Sequence, residues 1–218
     1  MDLIDLSQPV TTAMQVYPGD PEVALADATD FDRDGYRVSA IHMGTHAGTH
    51  VDAPWHACAD GLAVDEVELS RFCGHARIVR LRCNDSTPVR LEAVRNQLAD
   101  LDDTQVVLFD TGWSAYFGTD RYLRHPYLDP AVVKYILGSG VTAIGLDALS
   151  PDPTSGADLG PDQFAVHKVV LGAGGLIFEN LANLSAVTWD RPWFAAFPLR
   201  LAGRDGSPVR AVMFNACP

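Results

Sequence analysis

The stretch Asp129–Leu146, DPAVVKYILGSGVTAIGL, sets a helix directly before a strand. Asp129 suits a helix cap, and Pro130 fits the first turn, where its missing N–H leaves nothing unpaired. Gly138 marks the stop. Val141–Leu146 is then a short, mostly apolar run, the pattern of a strand covered on both faces. The same alternation extends outward. Upstream, QVVLF (Gln105–Phe109) reads as a second buried strand, and Pro88–Leu101 places Leu91, Val94, Leu98 and Leu101 at helical spacing. Downstream, Pro161–Leu171 reads as a helix ending at the Gly172-Ala-Gly-Gly175 turn, and LIFEN (Leu176–Asn180) as a third buried strand. Residues 36–43, His75–Cys83 and Val209–Phe214 read as further strands, with Arg77–Arg82 (RIVRLR) an amphipathic one carrying a solvated basic edge. Helices and strands joined by long, polar, Pro-rich loops make an α/β chain whose function is expected on the loops.

With 218 residues, 47% of them hydrophobic, the chain can bury one sizeable core, and no repeat, low-complexity tract or linker divides it. A single domain over residues 1–218 is expected. The formal net charge of −12, with only 16 scattered basic residues, excludes a nucleic-acid partner, which needs a concentrated basic patch. No apolar run approaches the ~20 residues needed to cross a bilayer, so no membrane partner is expected. Acidic residues at positions 2 and 5 argue against a secretory signal. Cys58, Cys73, Cys83 and Cys217 form no CxxC pair and read as reduced thiols of a cytoplasmic protein.

The chemistry concentrates between His42 and His56, HMGTHAGTHVDAPWH, which holds four of the seven histidines and a lone aspartate. Neutral imidazole and carboxylate together are the ligand set of zinc, manganese and similar ions. A helix would bring His46 and His50 together but turn Asp52 away by about 200°, at ~100° per residue. In an extended chain His46, His50, Asp52 and His56 share one face. Full extension, however, would separate the Cα atoms of His46 and His50 by about 13 Å, so a bend at Ala47-Gly48 is expected. His42 reads as structural or supporting. Rival motifs fail: Gly112-Trp-Ser114-Ala-Tyr116 lacks the second glycine of a nucleophile elbow, and Gly172-Ala-Gly174-Gly175 lacks the third glycine of a dinucleotide fingerprint. Cys58, near the cluster, could serve as a thiol nucleophile or ligand, but reads better as a small buried residue.

His46-Ala-Gly48-Thr49-His50-Val-Asp52-Ala-Pro54-Trp-His56 fills every fixed position of the pattern HxGTHxDxPxH. It resembles the signature of the putative cyclase family, which includes kynurenine formamidases and isatin hydrolases. Tyr17-Pro18-Gly19-Asp20 is similar to that family's aromatic-PGD turn, and Thr111-Gly112-Trp113 and Gly145–Ser150 to further blocks. The resemblance implies an α/β, swivelling β/β/α-type single domain with a mixed sheet, in a homodimer or higher homo-oligomer. It implies one or two divalent ions per chain, zinc or manganese. His46, His50 and Asp52 would hold one, and His167 and Glu179 would complete a second site. His56 would be the general acid/base and Tyr17 a substrate contact. Trp55 is a further candidate wall for a planar substrate, and Trp113 a weaker one. Glu179 is conspicuous on its own account, because it interrupts an apolar run where a carboxylate needs a partner.

The leading reading is therefore a metal-dependent hydrolase of a non-peptide amide, either an N-formyl aromatic amine such as N-formylkynurenine or a cyclic amide such as isatin. A cyclase or dehydratase using the same metal, and a non-catalytic metal-binding protein, are the two alternatives.

Overall fold

The computed structural model describes residues 2–154 and 163–216. Among these, nine strands form one mixed sheet. Its order is β1 (Leu3–Asp5), β13 (Val212–Phe214), β11 (Trp193–Ala195), β5 (Cys73–Arg80), β7 (Val106–Asp110), β9 (Ala143–Leu146), β10 (Leu176–Glu179), β4 (His50–Asp52) and β12 (Gly206–Pro208). The run β5-β7-β9-β10 is parallel and every other pairing antiparallel. The parallel centre is where the sequence is most apolar, because both of its faces are covered. In β7, Val107 and Phe109 join the core on one face, while Val106 and Leu108 join the core on the other.

The sheet is strongly curled, and its topology requires this. β12 and β13 stand seven strand spacings apart, about 34 Å across a flat sheet at ~4.8 Å per spacing. Yet only three residues separate Pro208 from Val212, and four virtual bonds reach at most about 14 Å. The two ends of the sheet must therefore approach each other. The backbone of Leu6 helps to clasp them, with its N–H donating to the Ala211 carbonyl and its carbonyl accepting from Ala182.

Helices are few. α3 (Pro130–Gly138) has the expected cap, the Asp129 carboxylate accepting the Ala131 N–H at 2.8 Å, and it packs Val132, Val133 and Ile136 onto the sheet. α4 (Ala165–Gly172) lies beside it and buries Val166, His167, Val170 and Leu171; the expected helical positions Pro161 and Asp162 fall outside the described residues. The single helix expected over Pro88–Leu101 is instead three pieces. These are the strand β6 (Pro88–Val89), which pairs with β8 (Tyr127–Leu128), the one-turn helix α2 (Leu91–Val94), and a 3₁₀ segment over Arg95–Leu98. Spacings of three and four fit either helix type, and the apolar stripe of Val94, Leu98 and Leu101 is buried all the same. Of the final strand expected over Val209–Phe214, only Val212–Phe214 forms β13, and the residues just before it cross from β12, which serves the other end of the sheet. Residues 36–43 supply β3 (Ser39–His42), which pairs only with β2 (Ala24–Asp27) in an exposed arm tipped by the short helix α1 (Phe31–Asp34). No described helix is long and apolar enough to cross a membrane.

Candidate metal centre

β4 carries the signature, and two neighbours complete it. The chain turns at Gly48, whose φ of +64° suits a residue without Cβ, and this bend brings the His46 ring to 5.1 Å from that of His50. Within β4, His50 and Asp52 share a face. β10 lies alongside in a register that sets Glu179 opposite His50, and β12 sets Gly206 opposite Asp52. A Cβ on Gly206 would stand 2.8 Å from His46 Cε1, so the ring lies over β12 because that position is glycine. His167 enters from the first turn of α4.

Asp52 is the centre of the cluster. Its Oδ1 is 2.7 Å from His46 Nδ1 and 3.2 Å from His50 Nε2, and its Oδ2 is 3.6 Å from His167 Nε2. Glu179 faces the same atoms, with Oε2 3.3 Å from His50 Nε2 and Oε1 3.4 Å from His167 Nε2. These groups are buried, Asp52 being 1% exposed and Glu179 5%. Short distances do not mean satisfied atoms, however. His50 Nε2, Asp52 Oδ2 and Glu179 Oε1 have no hydrogen-bond partner of proper geometry, and a buried orphan costs roughly 1–3 kcal/mol.

Each imidazole is anchored on its other nitrogen by a group that can only accept. His50 donates Nδ1–H to the Gly48 carbonyl at 2.8 Å, His167 donates Nδ1–H to Asp152 at 2.7 Å, and His46 donates Nε2–H to Asp205 at 2.8 Å. The nitrogens left over are those aimed at Asp52 and Glu179. Asp152 has a second task, accepting the backbone N–H groups of Val166 and His167 where α4 begins. Such outer partners fix the tautomer and ring orientation of histidines that bind metals. Ligand atoms of His46, His50 and Asp52 lie within 4.8 Å of one another, and so do those of Asp52, His167 and Glu179. Two nitrogens with a carboxylate, and a second nitrogen and carboxylate sharing Asp52, fit one or two divalent cations.

The electrostatics point the same way. Burial pushes the His50 imidazole down, but Asp52 and Glu179 outweigh it and raise its pKa to about 10. Burial likewise opposes Asp205 and Asp52 at His46, which still rises to about 9. His167 is driven well above its ordinary value against burial, by Asp152, Asp52 and Glu179. Burial would raise Asp52, yet His167, His46 and His50 hold it well below the carboxylate range. The site is rich in negative charge facing the three imidazoles, and a bound cation would compete with their protons.

A cavity of about 160 Å³ opens above the cluster, with Tyr17, Asp20, Leu149 and Phe164 in its wall and His56 on its rim. The His56 side chain is 33% exposed, and its ring centroid stands 4.1 Å from that of His46. Of the aromatic residues expected here, Tyr17 reaches the cavity and Trp55 does not. Pro54–His56 is a 3₁₀ turn, in which neighbours diverge by about 120°, so Trp55 turns away from His56 and lines a separate shallow pocket with Gly61 and Ala63. Trp113 is core, its indole N–H donating to the Tyr122 carbonyl. His42 lies on the exposed β3. Sequence reasoning gave no role to Asp205, Asp152 or Phe164. Asp205 reads locally as part of an Arg-Asp-Gly turn, and only the pairing of β12 with β4 reveals where it stands.

A family model described as Putative cyclase matches residues 4–153. A kynurenine formamidase of Salinibacter ruber (strain DSM 13855 / M31) is 35% identical over 99% of each chain. An isatin hydrolase A from Labrenzia aggregata, solved with benzyl benzoate, superposes with a TM-score of 0.84 at 23% identity, over 97% of this chain and 93% of that one. A structure described as a potential metal-dependent hydrolase with cyclase activity superposes with a TM-score of 0.77 at 26% identity, over 100% and 99% of the two chains.

Proposed function

This chain belongs to the Cyclase family, and from that premise we propose that it is a metal-dependent amidohydrolase acting on a small aromatic amide. The first substrate is an N-formyl aromatic amine of the N-formylkynurenine type, and the second a cyclic amide of the isatin type. The observation that carries the reading is Asp52, buried between three imidazoles, with orphaned polar atoms on Asp52 itself, on His50 and on Glu179.

His46, His50 and Asp52 would hold one zinc or manganese ion, and His167 and Glu179, with Asp52 shared, a second. A bound ion supplies Lewis acidity, which polarises a carbonyl and brings the pKa of water toward ~7. His56 would take a proton from the attacking water as the new C–O bond forms. It would return that proton to the nitrogen as the C–N bond breaks, releasing an amine and formate from a formamide. Tyr17 and Phe164 would flank the planar ring of the substrate. A purely structural metal would need no cavity and no solvent-accessible imidazole on its rim, which favours catalysis over the non-catalytic alternative.

Two further features complete the proposal. Leu25, Phe31, Tyr36, Val38 and Ile41 are exposed on the β2–β3 arm, an apolar surface suited to a second copy of the chain in a homodimer, which light scattering would test. A cytoplasmic location fits the free thiols of Cys58 and Cys83, the latter raised to about 11 by burial and Asp147.

Metal analysis paired with turnover of N-formylkynurenine and isatin tests the reading. Chelation should abolish hydrolysis and added Zn²⁺ or Mn²⁺ restore it. His56→Ala should keep its metal and lose about 10²–10⁴ in kcat. Stoichiometric metal with no turnover on any formamide or cyclic amide would overturn the catalytic reading.

A further inference from the structure

Asp205 is outside the signature segment, yet its carboxylate touches both halves of the proposed chemistry. It directly precedes β12, and its backbone carbonyl accepts the Ala53 N–H at 2.9 Å, so strand pairing holds its position whatever its side chain does. Oδ2 receives His46 Nε2–H at 2.8 Å and faces His56 Nδ1 at 3.3 Å, and Oδ1 receives the Thr45 hydroxyl at 3.1 Å. One oxygen is thus shared between a proposed metal ligand and the proposed acid/base.

We infer that Asp205 is the positioning residue of this site, tying the ring of His56 to that of His46 and fixing His56 as the Nδ1–H tautomer. The inference rests on the role given to His56 above. The physical case has two parts. A carboxylate accepts and cannot donate, so the His56 proton belongs on Nδ1 and the lone pair on Nε2, the nitrogen left for proton transfer. Orientation is the second part. His56 ends a 3₁₀ turn and is a third exposed, so core packing does not hold its ring. Without Asp205, the ring would sample other rotamers and both neutral tautomers. A base oriented by a third group is a recurring design in hydrolytic sites, and a small misplacement of the transferring nitrogen lowers the rate by orders of magnitude.

The substitutions Asp205→Ala and Asp205→Asn test this, alone and combined with His56→Ala, in metal-saturated protein. Asp205→Ala should lower kcat by about 10²-fold with KM within about threefold. Asp205→Asn keeps an acceptor oxygen toward the rings, because its amide can donate to the Thr45 hydroxyl, and should recover most of that loss. In the His56→Ala background, Asp205→Ala should remove less than about threefold more, since residues acting as one unit are not additive. Imidazole ¹⁵N shifts of the zinc-loaded protein give a readout that needs no substrate. His56 should appear as a single Nδ1–H tautomer in the wild type and as a mixture in Asp205→Ala.

Full additivity with His56→Ala, or unchanged ¹⁵N shifts in Asp205→Ala, would overturn the inference and leave Asp205 acting through His46 alone. So would a metal found between His46, His56 and Asp205, whose ligand atoms also lie within 4.8 Å of one another. If the wild type hydrolyses none of the amides, the proposed function fails, while the tautomer measurement still decides the part played by Asp205.

Discussion

β7 and β4 belong to the same sheet and are equally inaccessible, but they are built from opposite materials. β7 is Val-Val-Leu-Phe-Asp, and its four apolar residues fill the cores on both faces. β4 is His-Val-Asp, and only Val51 joins the core. Burial of β7 stabilises the fold directly, at about 25 cal/mol per Å² of apolar surface. Burial of β4 works against it unless something satisfies His50 and Asp52. Depth alone therefore says little about a strand's task; the unsatisfied atoms say more.

Exchange of the two strands' properties is the sharpest way to break this contrast. Asp52→Ala removes the group common to both candidate ligand sets, and the expected outcome is loss of bound metal with at least about a 10⁴-fold fall in kcat/KM. A fold that survives is part of the expectation, checked by circular dichroism. Near-normal metal content in Asp52→Ala would undo the reading of β4. In β7, Leu108→Ala should do the reverse. It should cost ~2–5 kcal/mol in denaturant unfolding, because Leu108 is fully buried, and leave kcat of the folded fraction within about twofold.

The smallest effect expected is in pH dependence, and its sign follows from the histidines. In metal-free protein His46 and His50 are raised to about 9 and about 10 from 6.5. The folded state thus holds their protons more tightly than the unfolded chain. That contribution is fully present below pH ~6.5 and is lost as pH rises through 9 to 10. Metal-loaded protein needs these imidazoles neutral, so its affinity strengthens over the same range as fewer protons must leave. The gap in Tm between loaded and chelated protein should widen from pH 7 to pH 9. A gap that narrows would mean that the ion does not replace those protons.

Much of the contrast was legible in the sequence, for reasons that differ between its two sides. Strands such as β7, β9 and β10 declare themselves through unbroken apolar runs, and α3 through its Asp129-Pro130 start. His46, His50 and Asp52 declare themselves by proximity along the chain, and Glu179 by being a carboxylate where none is expected. What stayed hidden depends on pairing across long separations. Asp205 becomes a neighbour of His46 only when β12 docks on β4, and Asp152 meets His167 only when α4 is in place. Trp55 is offered as a wall only because it adjoins His56 in the signature, whereas at Pro54 the chain changes to three residues per turn and carries its ring to another pocket. In the sequence the final strand reads three residues too long at its start, since residues 209–211 are the crossing between the ends of a curled sheet.

The closing of that curl also dictates when the site can first exist. Gly206 meets Asp52 although 153 residues lie between them in the chain, and Asp205 arrives with it. During synthesis, His46, His50 and Asp52 leave the ribosome early and wait for their last wall while the helices and the central strands are made. Contacts of such long range form slowly. On the proposed site, metal loading would be a late event in the life of the nascent chain, and a ribosome stalled before Asp205 would hold a chain with no finished pocket.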